Sequence, residues 1–201
     1  MNARLVEIQK ILLRMLPDLH GQNRHRYARQ LQCMEELVEA LSMAHYLQTQ
    51  TLITPSELID VITTPVPASK DASSSSTANE PVCIFPPEAR DLLLTESDYI
   101  FGIADLFGEM MRFATARTRA PGVLVPEKSP HGRSVLNDIQ ALGFAFETLP
   151  KREGDKIFMK KVEAMRPSVK KVEMLGYRLA IQSGEHPEGW VPDAGEDVEM
   201  E

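Results

Sequence analysis

The sequence predicts an all-α fold, a bundle of about six or seven helices. Apolar residues recur at helical spacing in segment after segment. Leu, Ala, Met, Glu and Arg are common while aromatic residues make up only 6% of the chain, a composition that favours helices over sheets. No stretch alternates apolar and polar residues as a half-buried strand would.

The elements follow in order. Leu5 to Leu16 reads as a first helix with Leu5, Ile8, Ile11, Leu12 and Met15 on one side, punctuated by Pro17 and Gly21. One long helix is predicted over 23–49, with Leu31, Met34, Leu37, Val38, Leu41 and Ala44 as its core stripe. Thr54, Pro55 and Glu57 have the spacing of a capping box with proline at the first helical position. Residues 65–82, PVPASKDASSSSTANEPV, are a low-complexity linker with no means of forming a core. Thr95 caps a strongly apolar helix that is predicted to run to about 117. A Pro/Gly-rich loop over 120–132 precedes a helix over 134–147, marked by Val135, Ile139, Leu142 and Phe146. A last helical region covers about 153–182, where Pro167 is predicted to break or kink it. Residues 1–184 read as one domain and 185–201 as an acidic disordered tail.

The net charge of −7 is unevenly placed. Seven of the 29 acidic residues follow Arg178, with no Lys or Arg among them, so the rest of the chain carries 22 acidic against 22 basic residues. A neutral body argues against a strong solitary nucleic-acid binder, though not against one that shares a surface with a more basic partner. No run of 18 apolar residues is present, so no membrane span is expected. Cys33 and Cys83 have neither a CxxC nor a zinc spacing and read as reduced thiols of an intracellular protein.

The chemistry concentrates in two acidic pairs. In 98–114 the apolar residues Ile100, Phe101, Ile103, Leu106, Phe107, Met110, Met111 and Phe113 leave one narrow gap, which holds Asp105 and Glu109 beside Gly102 and Arg112. Two carboxylates at ~6 Å and an effective dielectric of about 20 repel by roughly 2–3 kcal/mol, which solvent, an arginine or a metal ion must offset. The pair reads equally as a pocket site and as an ion pair with Arg112. Glu36 and Glu39, on the polar face of the 23–49 helix, read alone as a solvated surface. Taken together, the pairs offer four hard oxygen ligands of the kind Mg²⁺ or Mn²⁺ takes. A di-iron bundle is excluded by the lack of any ExxH, and no phosphate-cradling glycine loop or GxSxG is present. Arg24, His25, Arg26 and Arg29 form the densest basic run, which reads as a solvated helix start or as a contact for phosphates; Lys160, Lys161, Lys170 and Lys171 read as solvated helix faces.

The segment SDYIFGIADLFGEMMRFA resembles the signature of the translin family in its translin-associated factor X (TRAX) branch, a DY-x₂-G-x-ADL-x-GE-x-MR pattern. LQCMEELVEALSMAHYLQTQTLIT, the polar linker, GFAFETLP and KKVEMLGYRLAIQSGE follow that branch in matching order. The resemblance implies an all-α translin-like fold that assembles with translin into a barrel-like hetero-oligomer. It also implies a Mg²⁺-dependent endoribonuclease cleaving single-stranded RNA, in passenger-strand removal during RNA silencing and in tRNA fragment processing, in cytoplasm and nucleus. The implied catalytic and metal-binding acids are Glu36, Glu39, Asp105 and Glu109, and the RNA contacts Arg24, His25, Arg29 and Arg112. Three departures stand out. Phe107 replaces the usual Thr, the family's additional N-terminal segment, basic and then helical, reads as missing or trimmed, and the arginine preceding the first catalytic Glu falls on Ala28, leaving Arg24 or Arg29 to substitute. The rival expectation is a non-catalytic scaffold that binds translin and helps to form a nucleic-acid-binding chamber.

Overall fold

The computed structural model describes residues 2–64, 85–86, 89–117, 134–150 and 156–185. The linker 65–82, the loop 120–132, the tail beyond 185, Cys83, His131 and His186 lie outside them. Among the described residues the chain is helical, without strands: α1 Asn2–Met15, α2 Asn23–Arg26, α3 Cys33–Thr49, α4 Pro55–Thr63, α5 Ala89–Leu93, α6 Glu96–Ala116, α7 Val135–Thr148 and α8 Lys156–Glu185, with 3₁₀ turns at Leu16–Leu19 and Gln30–Gln32. The short α5 was not anticipated from the sequence. No helix among these residues is long and apolar enough to cross a membrane.

Two compact units divide the chain. The first is Met1–Glu109 with Asp155–Lys161; the second is Met110–Gly154 with Val162–Glu201. In the first, α1 packs on α4, α4 on α3 and α5, and α5 on the turn Leu16–Leu19. The buried face of α1 is Leu5, Gln9, Leu12 and, just beyond its end, Leu16, whereas Ile11 is exposed. Gln9 enters this core because its amide donates to the carbonyl oxygens of Ile62 (3.0 Å) and Thr64 (2.8 Å), which the end of α4 would otherwise leave without donors.

The expected 23–49 helix is interrupted. Asn23–Arg26 buries no residue, and Tyr27 leaves the α-helical region at φ −99°, ψ 13°. Without an apolar face to hold it, the chain passes from Tyr27 to Gln32 in tighter turns and becomes α-helical again at Cys33, where Met34, Val38 and Leu41 supply a buried stripe. Both predicted caps form. Thr54 Oγ accepts from Glu57 N at 3.3 Å while the Glu57 carboxylate accepts from Thr54 N at 2.8 Å. Thr95 and Asp98 repeat the same reciprocal pair at the start of α6, at 3.2 and 2.9 Å.

The hydrogen bonds from Thr54 hold the Glu57 carboxyl below its ordinary value. A lowered folded-state value makes its contribution present above the unfolded carboxyl pKa and lost as pH falls through the folded one. Thr54→Ala is expected to destabilise the protein by about 1 kcal/mol in thermal melts and to reduce this acid-side dependence, the Thr54 backbone N–H still donating to the carboxylate. A full-sized pH slope retained in Thr54→Ala would contradict the assignment.

In the second unit, Ser134 caps α7. Arg166 of α8 makes a two-pronged pair with Glu147 of α7 at 2.6 and 2.9 Å, and Gln140 donates to Glu173 at 2.8 Å. The helix α8 continues through Pro167 rather than ending there. Of the residues the periodicity marks in α7, Val135, Ile139 and Phe146 are buried and Leu142 is half-buried; Val162, Met165 and Val172 of α8 are buried as well.

Candidate functional site

The site is set by a close approach of α3 and α6 within the first unit. A Cβ on Gly102 would stand 2.5 Å from Val38 Cβ and 2.7 Å from the Glu35 carbonyl oxygen. Only glycine lets the two backbones come so near. Gly102, placed by the helical wheel in the acidic gap of α6, is therefore the point where that gap meets α3. One turn earlier on α6 the Tyr99 hydroxyl donates to the carbonyl of Ile53, between α3 and α4, at 2.7 Å. Burial first, and the charge of Glu57 second, raise this phenol above the ordinary tyrosine value.

On an ideal helix Glu35, Val38 and Ser42 share one face, with Glu39 about 40° and Glu36 about 100° from Glu35. The residue that turns towards α6 is thus Glu35, which the sequence reading did not select. Its Oε2 lies 2.9 Å from Lys161 Nζ, and the same ammonium lies 2.6 Å from Asp105 Oδ2. Lys161 also donates to the Phe101 carbonyl at 3.4 Å and stands 5.5 Å from the Phe101 ring centroid. Burial alone would depress the lysine, but the hydrogen bonds and charges of Asp105 and Glu35 outweigh it and raise its pKa above the ordinary value. Lys161, expected on a solvated face, is the cation that answers the charge on Asp105. Its counterpart Lys160 is exposed.

The four predicted acids are distributed around this crossing. Glu36 is exposed, Glu39 and Glu109 are half-buried and engaged in other interactions, and Asp105 is 41% exposed. Among the described residues no three His, Cys, Asp or Glu side chains are grouped so as to hold a metal ion. The donor chemistry suits Mg²⁺ or Mn²⁺, but the arrangement, with Asp105 held by Lys161, does not fit the ion as it stands.

Of the predicted RNA contacts, Arg24 has a structural task. Its guanidinium donates to the carbonyl oxygens of Leu92 and Leu93 at the end of α5 and pairs with Asp98 in the first turn of α6, with a side chain only 15% exposed. That leaves His25 and Arg29 exposed in the first unit and Arg112 exposed on the part of α6 that belongs to the second.

The Translin family model matches residues 1–183. Translin-associated protein X of Rattus norvegicus and that of Mus musculus are each 26% identical over 201 residues, covering 96% of this chain and 63% of the relative. The protein of the same name from Pongo abelii is 26% identical over 196 residues with the same coverage. The chain therefore spans 63% of the length of these relatives. A family match over nearly the whole chain, on an all-helical architecture with the DY, Gly102 and acidic positions in place, shows that this chain belongs to the translin family.

Proposed function

We propose that this chain is the acid-bearing subunit of a complex with translin, and that the complex is a Mg²⁺-dependent endoribonuclease acting on single-stranded RNA. The name of the relatives supports translin as the partner. The observation that carries the catalytic reading is the glycine-mediated approach of α3 and α6, because Glu36, Glu39, Asp105 and Glu109 all belong to those two helices within about two turns of it. Exposed His25, Arg29 and Arg112 are suited to phosphate contacts. Carboxylates at such a place can orient a water molecule and accept its proton. Attack by that water on the phosphodiester leaves a 5′-phosphate and a 3′-hydroxyl. Among the described residues the acids do not gather around a metal ion.

In a complex reconstituted with translin, Asp105→Asn is expected to lower the rate of single-stranded RNA cleavage by roughly 10²–10⁴-fold with assembly retained. Cleavage at the unchanged rate, or products ending in a cyclic phosphate, would overturn the assignment. The second reading, a non-catalytic translin-binding scaffold, is favoured by the ion pair that neutralises Asp105. It requires the complex to assemble with Asp105→Asn and to show no cleavage that depends on any of the four acids.

A further inference from the structure

We infer that Lys161 is the positioning residue of Asp105: it fixes that carboxylate by its Oδ2 oxygen, and Glu35 keeps the lysine from cancelling the charge it holds. The inference rests on the reading of Asp105 as a working carboxylate in RNA cleavage, and it requires no ion at Asp105.

Lys161 belongs to α8, whereas Glu35 and Asp105 belong to α3 and α6. Its ammonium has three N–H donors, and three oxygens are within reach: Asp105 Oδ2 at 2.6 Å, Glu35 Oε2 at 2.9 Å and the Phe101 carbonyl at 3.4 Å. Phe101 and Asp105 lie one turn apart on α6, so the ammonium grips the helix backbone and the carboxylate together. The Phe101 ring, 5.5 Å from the nitrogen, gives the cation a further wall. A carboxylate held at one oxygen has its other oxygen in a set direction. The side chain of Lys161 is 19% exposed and that of Asp105 41%, so the hold comes from the protein side while the carboxylate still meets solvent.

Glu35 determines what this hold does to the charge. One ammonium between two carboxylates leaves the trio negative, so Asp105 remains an acceptor able to take a proton from water. In a one-to-one pair the lysine would neutralise it. A carboxylate outside the predicted catalytic set thereby acquires a task, and it acts only through Lys161.

Steady-state cleavage of a single-stranded RNA oligonucleotide by the complex reconstituted with translin tests this as a double-mutant cycle. Lys161→Met is expected to lower kcat roughly 10–100-fold with KM unchanged, because the group it positions takes part in the reaction and not in holding the RNA. Lys161→Met combined with Asp105→Asn is expected to be no slower than Asp105→Asn alone. Glu35→Gln is expected to lower kcat several-fold in the parent and to have no effect in either of the other two backgrounds. Losses that multiply in the double variant, or a raised KM at the parental kcat, would make Lys161 an independent contact and overturn the inference while Asp105 keeps its role. The parental kcat in Lys161→Met beside a slow Asp105→Asn would do the same. The parental kcat in Asp105→Asn would overturn both the inference and the reading beneath it. Should Lys161→Met not assemble, Glu35→Gln decides: a parental kcat, or a loss that multiplies that of Asp105→Asn, refutes the inference.

Discussion

Gly102→Ala and Gly108→Ala, six residues apart on α6, are expected to move stability in opposite directions. A Cβ on Gly108 meets nothing within 4 Å, so the substitution only restricts the unfolded chain and favours the helix, a gain of about 0.5–1 kcal/mol. The same gain is available at Gly102, but there the new methyl would lie 2.5 Å from Val38 Cβ and 2.7 Å from a backbone oxygen. Neither neighbour is the free end of a flexible side chain, so α3 itself must move. Overpacking of this kind costs about 1–3 kcal/mol or more and outweighs the helical gain. Urea unfolding of the two variants measures both signs. Adding Val38→Ala is not expected to rescue Gly102→Ala, because the Val38 Cβ and the Glu35 oxygen both remain. Rescue by that pairing would show that the clash is with the valine methyls alone.

Phe107→Ala is expected to be the most costly single change in the first unit, at about 3–5 kcal/mol. The side chain is completely buried, in the company of Ile103, Leu106 and Met110 along the same helix. This is the position where the chain departs from the threonine of the family pattern. Phe107→Thr, although it restores the usual residue, is expected to destabilise almost as much as Phe107→Ala, since it leaves most of the same cavity and adds a hydroxyl to be desolvated. Thermal melts of the two variants against the parent decide it: a Thr variant near parental stability would mean that the surroundings close around the smaller residue.

Local signals were the legible ones. Thr54 and Glu57, and Thr95 and Asp98, each announce a helix start through residues three positions apart, and both starts form. The tertiary partners were not legible. Periodicity ranks the residues of one helix, but it does not say which residue of another helix will stand opposite. That is why Glu35 does not stand out from its neighbours Glu36 and Glu39, and why Lys161 reads as a solvated lysine in the sequence. The structural task of Arg24 is hidden for the same reason, as the carbonyls it serves lie 68 and 69 residues further on. One signal was present and unused. Gly102 lies within a helix otherwise crowded with large apolar side chains, and a glycine kept in such company marks where another backbone comes close. The signature segment itself divides: Asp98 and Tyr99 fasten α6 to Arg24 and Ile53, Gly102 makes the crossing with α3, and Asp105 and Glu109 carry charge beside it.

The contacts of the first unit reach repeatedly across residues 65–84. Arg24 holds Asp98, Tyr99 holds Ile53, Arg90 holds Asp60, Lys161 holds Glu35, and Gly102 receives Val38. Each of these joins a residue before position 65 to one after position 84. None of them needs the two stretches to be covalently continuous. The unit is in this sense already a complex of two polypeptide pieces, and the same recognition would serve if 2–64 and 85–201 were supplied as separate chains. These contacts are the join between the two stretches, and a single methyl at Gly102 is a change to that join.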